Sequence, residues 1–228
     1  MDLKRLWLRW VAANALGELL GLGLTLLVGA LYFLYSGDPR GALAVLLAFA
    51  VAVASGAIEA TVVGLAQAWA MRPWFPGVRR AAWWRGTLVG ALLAYVLGYL
   101  PSTVIDLTEA AAPAGAAAVA EPPQVVVLLL AAGLGLVGGA VLSFAQWRVL
   151  KNADIRGAGL WIPANMLAWA GGMPVIFWGI DAAQRGQALW QSVLVMAGAL
   201  LAAGALVGAV HGAFLVRIAR RNPAIANR

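Results

Sequence analysis

GALAVLLAFAVAVASGAIEATVVGLAQAWAM, residues 41–71, carries one ionisable side chain, Glu59, in a run that is otherwise apolar, small or neutral. A helix needs about 20 such residues, at about 1.5 Å of rise each, to cross the hydrocarbon of a bilayer. This stretch exceeds that length, which marks it as a membrane span that tilts or extends past the membrane face. On either side the pattern recurs. Comparable stretches run approximately over Trp10–Tyr35, Trp84–Ile105, Val125–Leu150, Gly159–Ile180 and Leu189–Val216. The expected fold is all-α: a polytopic bundle of six transmembrane helices in a single membrane domain, residues 1–228.

Composition agrees with that expectation. Only 11% of the 228 residues are charged and 63% are hydrophobic, with a mean hydropathy of +0.87. A soluble domain carries roughly 25% charged residues, so water is not the solvent around most of this surface. The net charge of +7 does not point to nucleic acid, because the basic residues form short clusters between apolar stretches. The chain contains no cysteine, which excludes disulfides, thiolate metal sites and thiol catalysis.

Those clusters also set the orientation. Lys4, Arg5 and Arg9 precede the first span, and Arg72, Arg79, Arg80 and Arg85 lie between the second and third. Arg148, Lys151 and Arg156 lie between the fourth and fifth, and Arg217, Arg220, Arg221 and Arg228 follow the sixth. Only Arg40 and Arg185 fall on the opposite side. The positive-inside rule therefore predicts cytoplasmic N- and C-termini in a bacterial-type inner membrane. The first span is too long for the apolar core of a signal peptide and no small-x-small site closes it, so it is expected to stay uncleaved. The connection DLTEAAAPAGAAAVAEPPQ, Asp106 to Gln124, reads as a flexible external loop.

The spans also repeat. WVAANALG from Trp10, WWRGTLVG from Trp83 and WIPANMLA from Trp161 share a Trp followed four residues later by Asn14, Thr87 or Asn165. GAIEATVVGLAQAWAMR from Gly56 parallels GLVGGAVLSFAQWRVLK from Gly135, each with a Gln, Gln67 or Gln146, five residues before a basic residue. GALVGAVHGAFLVR from Gly204 is a weaker third copy without the Gln. Three parallel helical hairpins are expected, at 1–75, 76–155 and 156–228. Parallel repeats do not favour the rocking mechanism of inverted-repeat transporters.

This pattern resembles a family of uncharacterised six-helix bacterial membrane proteins that carry G-x-x-E-G followed by G-x-x-Q-W-x-x-L-R. The first copy matches at Gly56, Glu59, Gly64, Gln67 and Arg72, with Ala60 and Ala68 as departures. The second matches at Gly135, Gln146, Trp147, Leu150 and Lys151, with Gly138 in place of the Glu. The resemblance implies the six-helix topology and no activity.

Three ionisable residues lie inside spans, where each charge costs about 2.5–3.5 kcal/mol at a helix centre on insertion scales. Glu18 lies about 13 Å beyond Arg9 along its helix and Glu59 about 20 Å before Arg72. His211 is about 9 Å before Arg217 by the same rise. Glu59 is the deepest and the leading candidate for ligand binding, either protonated or paired with His211 or a ligand cation. Glu18, closer to the edge, is expected to be solvated by water or by snorkelling. Asn14, Gln67, Gln146 and Asn165 fall in the same half of the membrane. They form a polar layer that either glues helices together or lines a cavity open to the cytoplasm. Gly204, Gly208 and Gly212 bare one helix face beside His211, suited to close packing or, as a minor alternative, to a flat macrocycle such as haem. Trp7, Trp10, Trp69, Trp74, Trp83, Trp84, Trp147 and Trp161 are expected to form an interfacial belt.

Lone His211 and the absence of cysteine disfavour a metal centre, and neither a Walker A sequence nor a nucleophile elbow is present. No cofactor and no enzymatic activity are expected. The chain reads first as a packing or accessory subunit, in contact with lipid and with itself or other membrane subunits. The alternative is a small carrier or ligand-binding protein that uses Glu59 and the polar layer for a cationic or amphiphilic solute.

Overall fold

The computed structural model describes residues 2–37, 41–111, 122–186 and 188–222. The apolar stretches are all helical: α1 Leu3–Ser36, α2 Ala42–Met71, α3 Arg80–Ala110, α4 Gln124–Asn152, α5 Trp161–Ala183 and α6 Leu189–Arg220. A 3-10 turn, Ala158–Leu160, leads into α5, and no strand occurs among the described residues. Hydrocarbon offers no hydrogen-bond partners, so a spanning backbone must satisfy itself, and the helix does so within one segment. At 34 residues α1 is about 50 Å long, well beyond the roughly 30 Å hydrocarbon layer. At its start the Asp2 side chain accepts a hydrogen bond from the Lys4 backbone N–H at 2.8 Å and caps the helix.

The connection expected to be a loop from Asp106 is shorter than that. Helix α3 continues through Asp106 to Ala110 and α4 begins at Gln124, while residues 112–121 of that expectation lie outside the described residues.

Each helix packs against the one before it and the one after it, and α6 packs against α1. The result is a closed ring of six antiparallel neighbours. Leu20 and Leu27 on α1, Leu46 on α2, Leu129 on α4 and Val193 on α6 are exposed on its outside. This apolar exterior is that of an integral, multi-pass membrane protein.

Glycines set how closely the ring closes. A Cβ added at Gly135 of α4 would lie 2.1 Å from the carbonyl oxygen of Trp169 on α5, and at Gly139 2.6 Å from that of Asn165. On α6, a Cβ at Gly204 would lie 2.6 Å from the Asn14 carbonyl oxygen, and at Gly208 2.9 Å from the Val11 Cα. Backbones meet at these points, the packing that small residues permit between membrane helices. The bare face beside His211 is therefore filled by α1, and no gap is left there for a macrocycle.

At the arginine-rich end, Trp10, Trp83 and Trp161, one from each odd-numbered helix, converge with no exposed surface. Their ring centroids lie 6.3 Å (Trp10–Trp83), 5.7 Å (Trp10–Trp161) and 5.6 Å (Trp83–Trp161) apart, all edge-on. These three do not belong to the expected interfacial belt. Odd-numbered helices are not ring neighbours, so long side chains must fill the space between them, and edge-to-face indoles do so favourably.

Candidate functional site

The polar layer sits beside the tryptophan triad. Asn14 Nδ2 donates to the Trp10 carbonyl at 2.8 Å, Thr87 Oγ1 to that of Trp83 at 3.0 Å, and Asn165 Nδ2 to that of Trp161 at 2.9 Å. The same i to i−4 bond is thus made at the three matched positions. Gln67 Oε1 accepts from the Trp83 indole at 3.1 Å, and its Nε2 donates to Asn14 Oδ1 at 2.8 Å. Gln146 Oε1 accepts from the Trp161 indole at 2.8 Å, and its Nε2 donates to Thr87 Oγ1 at 2.9 Å. Gln67, Gln146, Asn14 and Asn165 are all buried. Asn14, Gln67 and Gln146 hold α1, α2, α3, α4 and α5 together, Asn165 bonds only within α5, where its Oδ1 has no partner, and none of the four lines the bundle's cavity.

That cavity lies further from the arginine-rich end. It has a volume of about 280 Å³ and is walled by α1 to α5, with Leu22 and Leu26, Glu59, Tyr95 and Tyr99, Leu134 and Leu142, and Trp169 and Phe177 among its lining. By helical rise it extends from about 15 to about 30 Å above the Asn152 end of α4. The cytoplasm-facing cavity expected from the polar layer is thus displaced toward the opposite face. The plug of indoles and amides occupies the place it would have taken.

The cavity opens where α3 and α4 part. At Gly90 an added Cβ would lie 2.7 Å from the Leu142 carbonyl oxygen; at Gly138 it would lie 3.8 Å from the Ala94 Cβ; at Gly98 it would meet nothing within 4 Å. Tyr99, one residue beyond Gly98, is 38% exposed while also lining the cavity.

Glu59 supplies the cavity's one carboxyl group. It is 8% exposed and accepts a hydrogen bond from the Tyr95 hydroxyl. The G-x-x-E spacing explains how that bond is made. Gly56 lies one turn before Glu59, and a Cβ there would lie 2.8 Å from the Tyr95 ring. The ring therefore rests on the bare backbone of α2, which brings its hydroxyl to Glu59. Tyr99, one turn further along α3, follows with ring centroids 5.9 Å apart.

Glu18 is not at a solvated edge, contrary to the expectation from its distance to Arg9. It is 1% exposed, and no amide, indole or hydroxyl donor reaches either carboxyl oxygen. Its neighbours on α1 explain this burial: Gly17 and Gly21 face α2, whereas Asn14 and Glu18 itself face Gly204 of α6. Glu18 therefore points inward between two contacts, beside the carboxyl of Glu59.

His211 is not paired with Glu59. Its ring lies 5.1 Å from that of Trp161, and neither nitrogen has a hydrogen-bond partner. The structure thus brings Glu59 and Glu18 together, joins Asn14, Gln67 and Gln146 in a separate layer with Asn165 beside it, and leaves His211 in neither group.

Tyr95, Tyr99 and Trp169 were not singled out in the sequence. A signal for Tyr95 existed, because it lies 16 residues after Arg79 on a helix antiparallel to α2, at nearly the depth that Glu59 has before Arg72. Comparing depths on adjacent spans would have paired them. No family model, curated protein or solved structure matches this chain.

Proposed function

We propose that this protein binds a small amphiphilic organic cation in the cavity between α1 and α5, as a carrier or ligand-binding membrane protein and not as an enzyme. The observation that carries this is one buried carboxyl, already oriented by Tyr95, at the end of a cavity whose other walls are apolar and aromatic. Such a site matches a ligand with an apolar body and one positive charge. Aromatic faces attract quaternary ammonium, and a carboxylate in a low-dielectric site holds it more strongly than in water. At about 280 Å³ the cavity is near the lower end of ligand sites, which run from about 300 to 1,000 Å³. The ligand is correspondingly small.

The packing or accessory-subunit role draws its support from the small-residue faces. Those faces are consumed inside the chain, Gly204 and Gly208 against α1 and Gly135 and Gly139 against α5. They are not left over for another subunit, and this favours the ligand-binding role.

The test is calorimetric titration of the detergent-purified chain with benzyltrimethylammonium and with its uncharged carbon isostere, neopentylbenzene. The cation is expected to bind at least about tenfold more tightly than the isostere, a difference of about 1.4 kcal/mol. Glu59→Gln is expected to remove that preference while preserving the folded state. Gly98→Leu, which adds bulk where a Cβ meets no neighbour, is expected to fold and to lose binding of both compounds. Equal binding of the two compounds by the wild type, or a cation preference that persists in Glu59→Gln, would overturn the proposal.

A further inference from the structure

We infer that Glu18 and Glu59 act as a proton-exchanging carboxyl pair, neutral when the cavity holds no cation and giving up one proton when an organic monocation enters. This rests on the cation-binding role proposed above and specifies what accompanies binding.

The argument starts from charge. Glu18 lies one turn before Gly21, where an added Cβ would lie 2.9 Å from the Glu59 Cα, so the two carboxyls are neighbours, exposed by only 1% and 8%. No salt bridge reaches either of them, the ion pair Arg185–Asp181 being the one found among the described residues. Two carboxylates side by side with no compensating cation repel each other, and each is expensive in a membrane interior. Protonation removes both penalties, so the pair without ligand carries two protons.

The groups around the pair do not alter this balance. Helix α3 contributes the hydroxyls of Tyr95 and Tyr99, and α6, packed against α1, contributes His211, whose ring lies tilted against that of Trp161. The cavity walls from α4 and α5 contain no titratable side chain. No fixed positive group is present to take the place of the ligand.

An entering cation supplies the missing charge. The O–H bond of Glu59 breaks, its electron pair stays on the carboxylate oxygen, and the proton leaves to water; the cation then pairs with that carboxylate. Nothing is oxidised or reduced, and the site stays neutral before and after the exchange. Glu59 is the member that yields, because it lies on the cavity wall and Tyr95 donates to it. Glu18 does not line the cavity. It keeps its proton and is a positioning residue, able to donate to Glu59 once the latter is charged.

Calorimetric titration of the full chain with benzyltrimethylammonium, in buffers of different ionisation enthalpy, counts the protons released. The probe has no proton of its own. About one proton per cation bound is expected from the wild type, with the apparent Kd rising about tenfold for each pH unit of acidification where the pair is protonated. Glu18→Gln retains a donor and is expected to release about one proton per cation, with a pH profile closer to the wild type than that of Glu18→Leu. Glu18→Leu lacks it and is expected to need higher pH for the same affinity. Binding with no proton release would overturn the exchange and leave the binding role standing, whereas absence of cation binding would remove both. A Glu18→Leu profile superimposed on the wild type would overturn the part assigned to Glu18. The wild-type proton count needs no variant, so the exchange remains testable if Glu18→Leu does not fold.

Discussion

Gln67 and Gln146 each tie an indole to the polar layer, and the third matched position, eleven residues after Gly204, is Leu215. The consequence appears at Trp10, whose indole N–H is buried with no partner. Removing one partner of a buried hydrogen bond costs about 1–3 kcal/mol, because the group left behind is desolvated and unpaired. Gln146→Leu, which strands the Trp161 indole, is expected to destabilise the protein by that amount in thermal unfolding followed by tryptophan fluorescence. Leu215→Gln adds an acceptor where Trp10 lacks one and is expected to leave stability within about 1 kcal/mol of wild type. Leu200→Gln, buried against Ile176 and Ala203, places an amide among apolar neighbours and is expected to lose more than Leu215→Gln. Equal losses at Leu200 and Leu215 would contradict the threefold matching of the repeats.

The helices differ in how much of their packing the sequence discloses. The spans follow from apolar length, since hydrocarbon thickness imposes it, and the depth of Glu59 follows from its distance to Arg72 along α2. Ring closure of α6 on α1 and the parting of α3 from α4 do not follow, because the same residue type does opposite things. Gly90 brings α3 onto the Leu142 backbone, whereas a Cβ at Gly98 of the same helix would meet nothing within 4 Å, although each glycine follows an aliphatic residue on one span. The triad departs from the expected interfacial belt for a related reason: Trp near arginines suits the membrane interface, and only the ring shows that positions 10, 83 and 161 face its centre. Glu18 departs from its expected solvated edge because distance along a helix gives depth but not facing. Glycine contexts lead to contrasting expectations. Gly139→Leu drives a side chain into the Asn165 carbonyl and separates α4 from α5, so size-exclusion chromatography in detergent should show loss of the folded peak. Gly98→Ala should elute as the wild type does. Similar profiles for the two variants would mean that the α4–α5 contact is not as close as described.

Across the whole molecule the bundle is closed unevenly along its axis. The arginine-rich end is closed: the indole triad fills its centre, Arg9 lies 4.2 Å over the Trp69 ring, and Asn222 accepts from the Arg156 N–H at 3.0 Å and donates to its carbonyl at 3.0 Å. Beyond that plug, in the middle of the bundle, lie the cavity and its α3–α4 opening. With the closed end in the cytoplasm, as the basic clusters predict, the cavity is reached from the external half of the bilayer. A proton released from Glu59 then leaves through the cavity toward that side, the other side being plugged. The absence of native cysteine allows a clean test, since each introduced cysteine is the sole target of a maleimide. Gly77, between α2 and α3, and Gln184, just after α5, are both exposed and lie at opposite ends. Gln184→Cys is expected to react with a membrane-impermeant maleimide in intact bacterial cells, and Gly77→Cys only after the membrane is opened. The reverse pattern would turn the bundle over, put the cavity mouth toward the cytoplasm, and mean that the arginines are not what orients this chain.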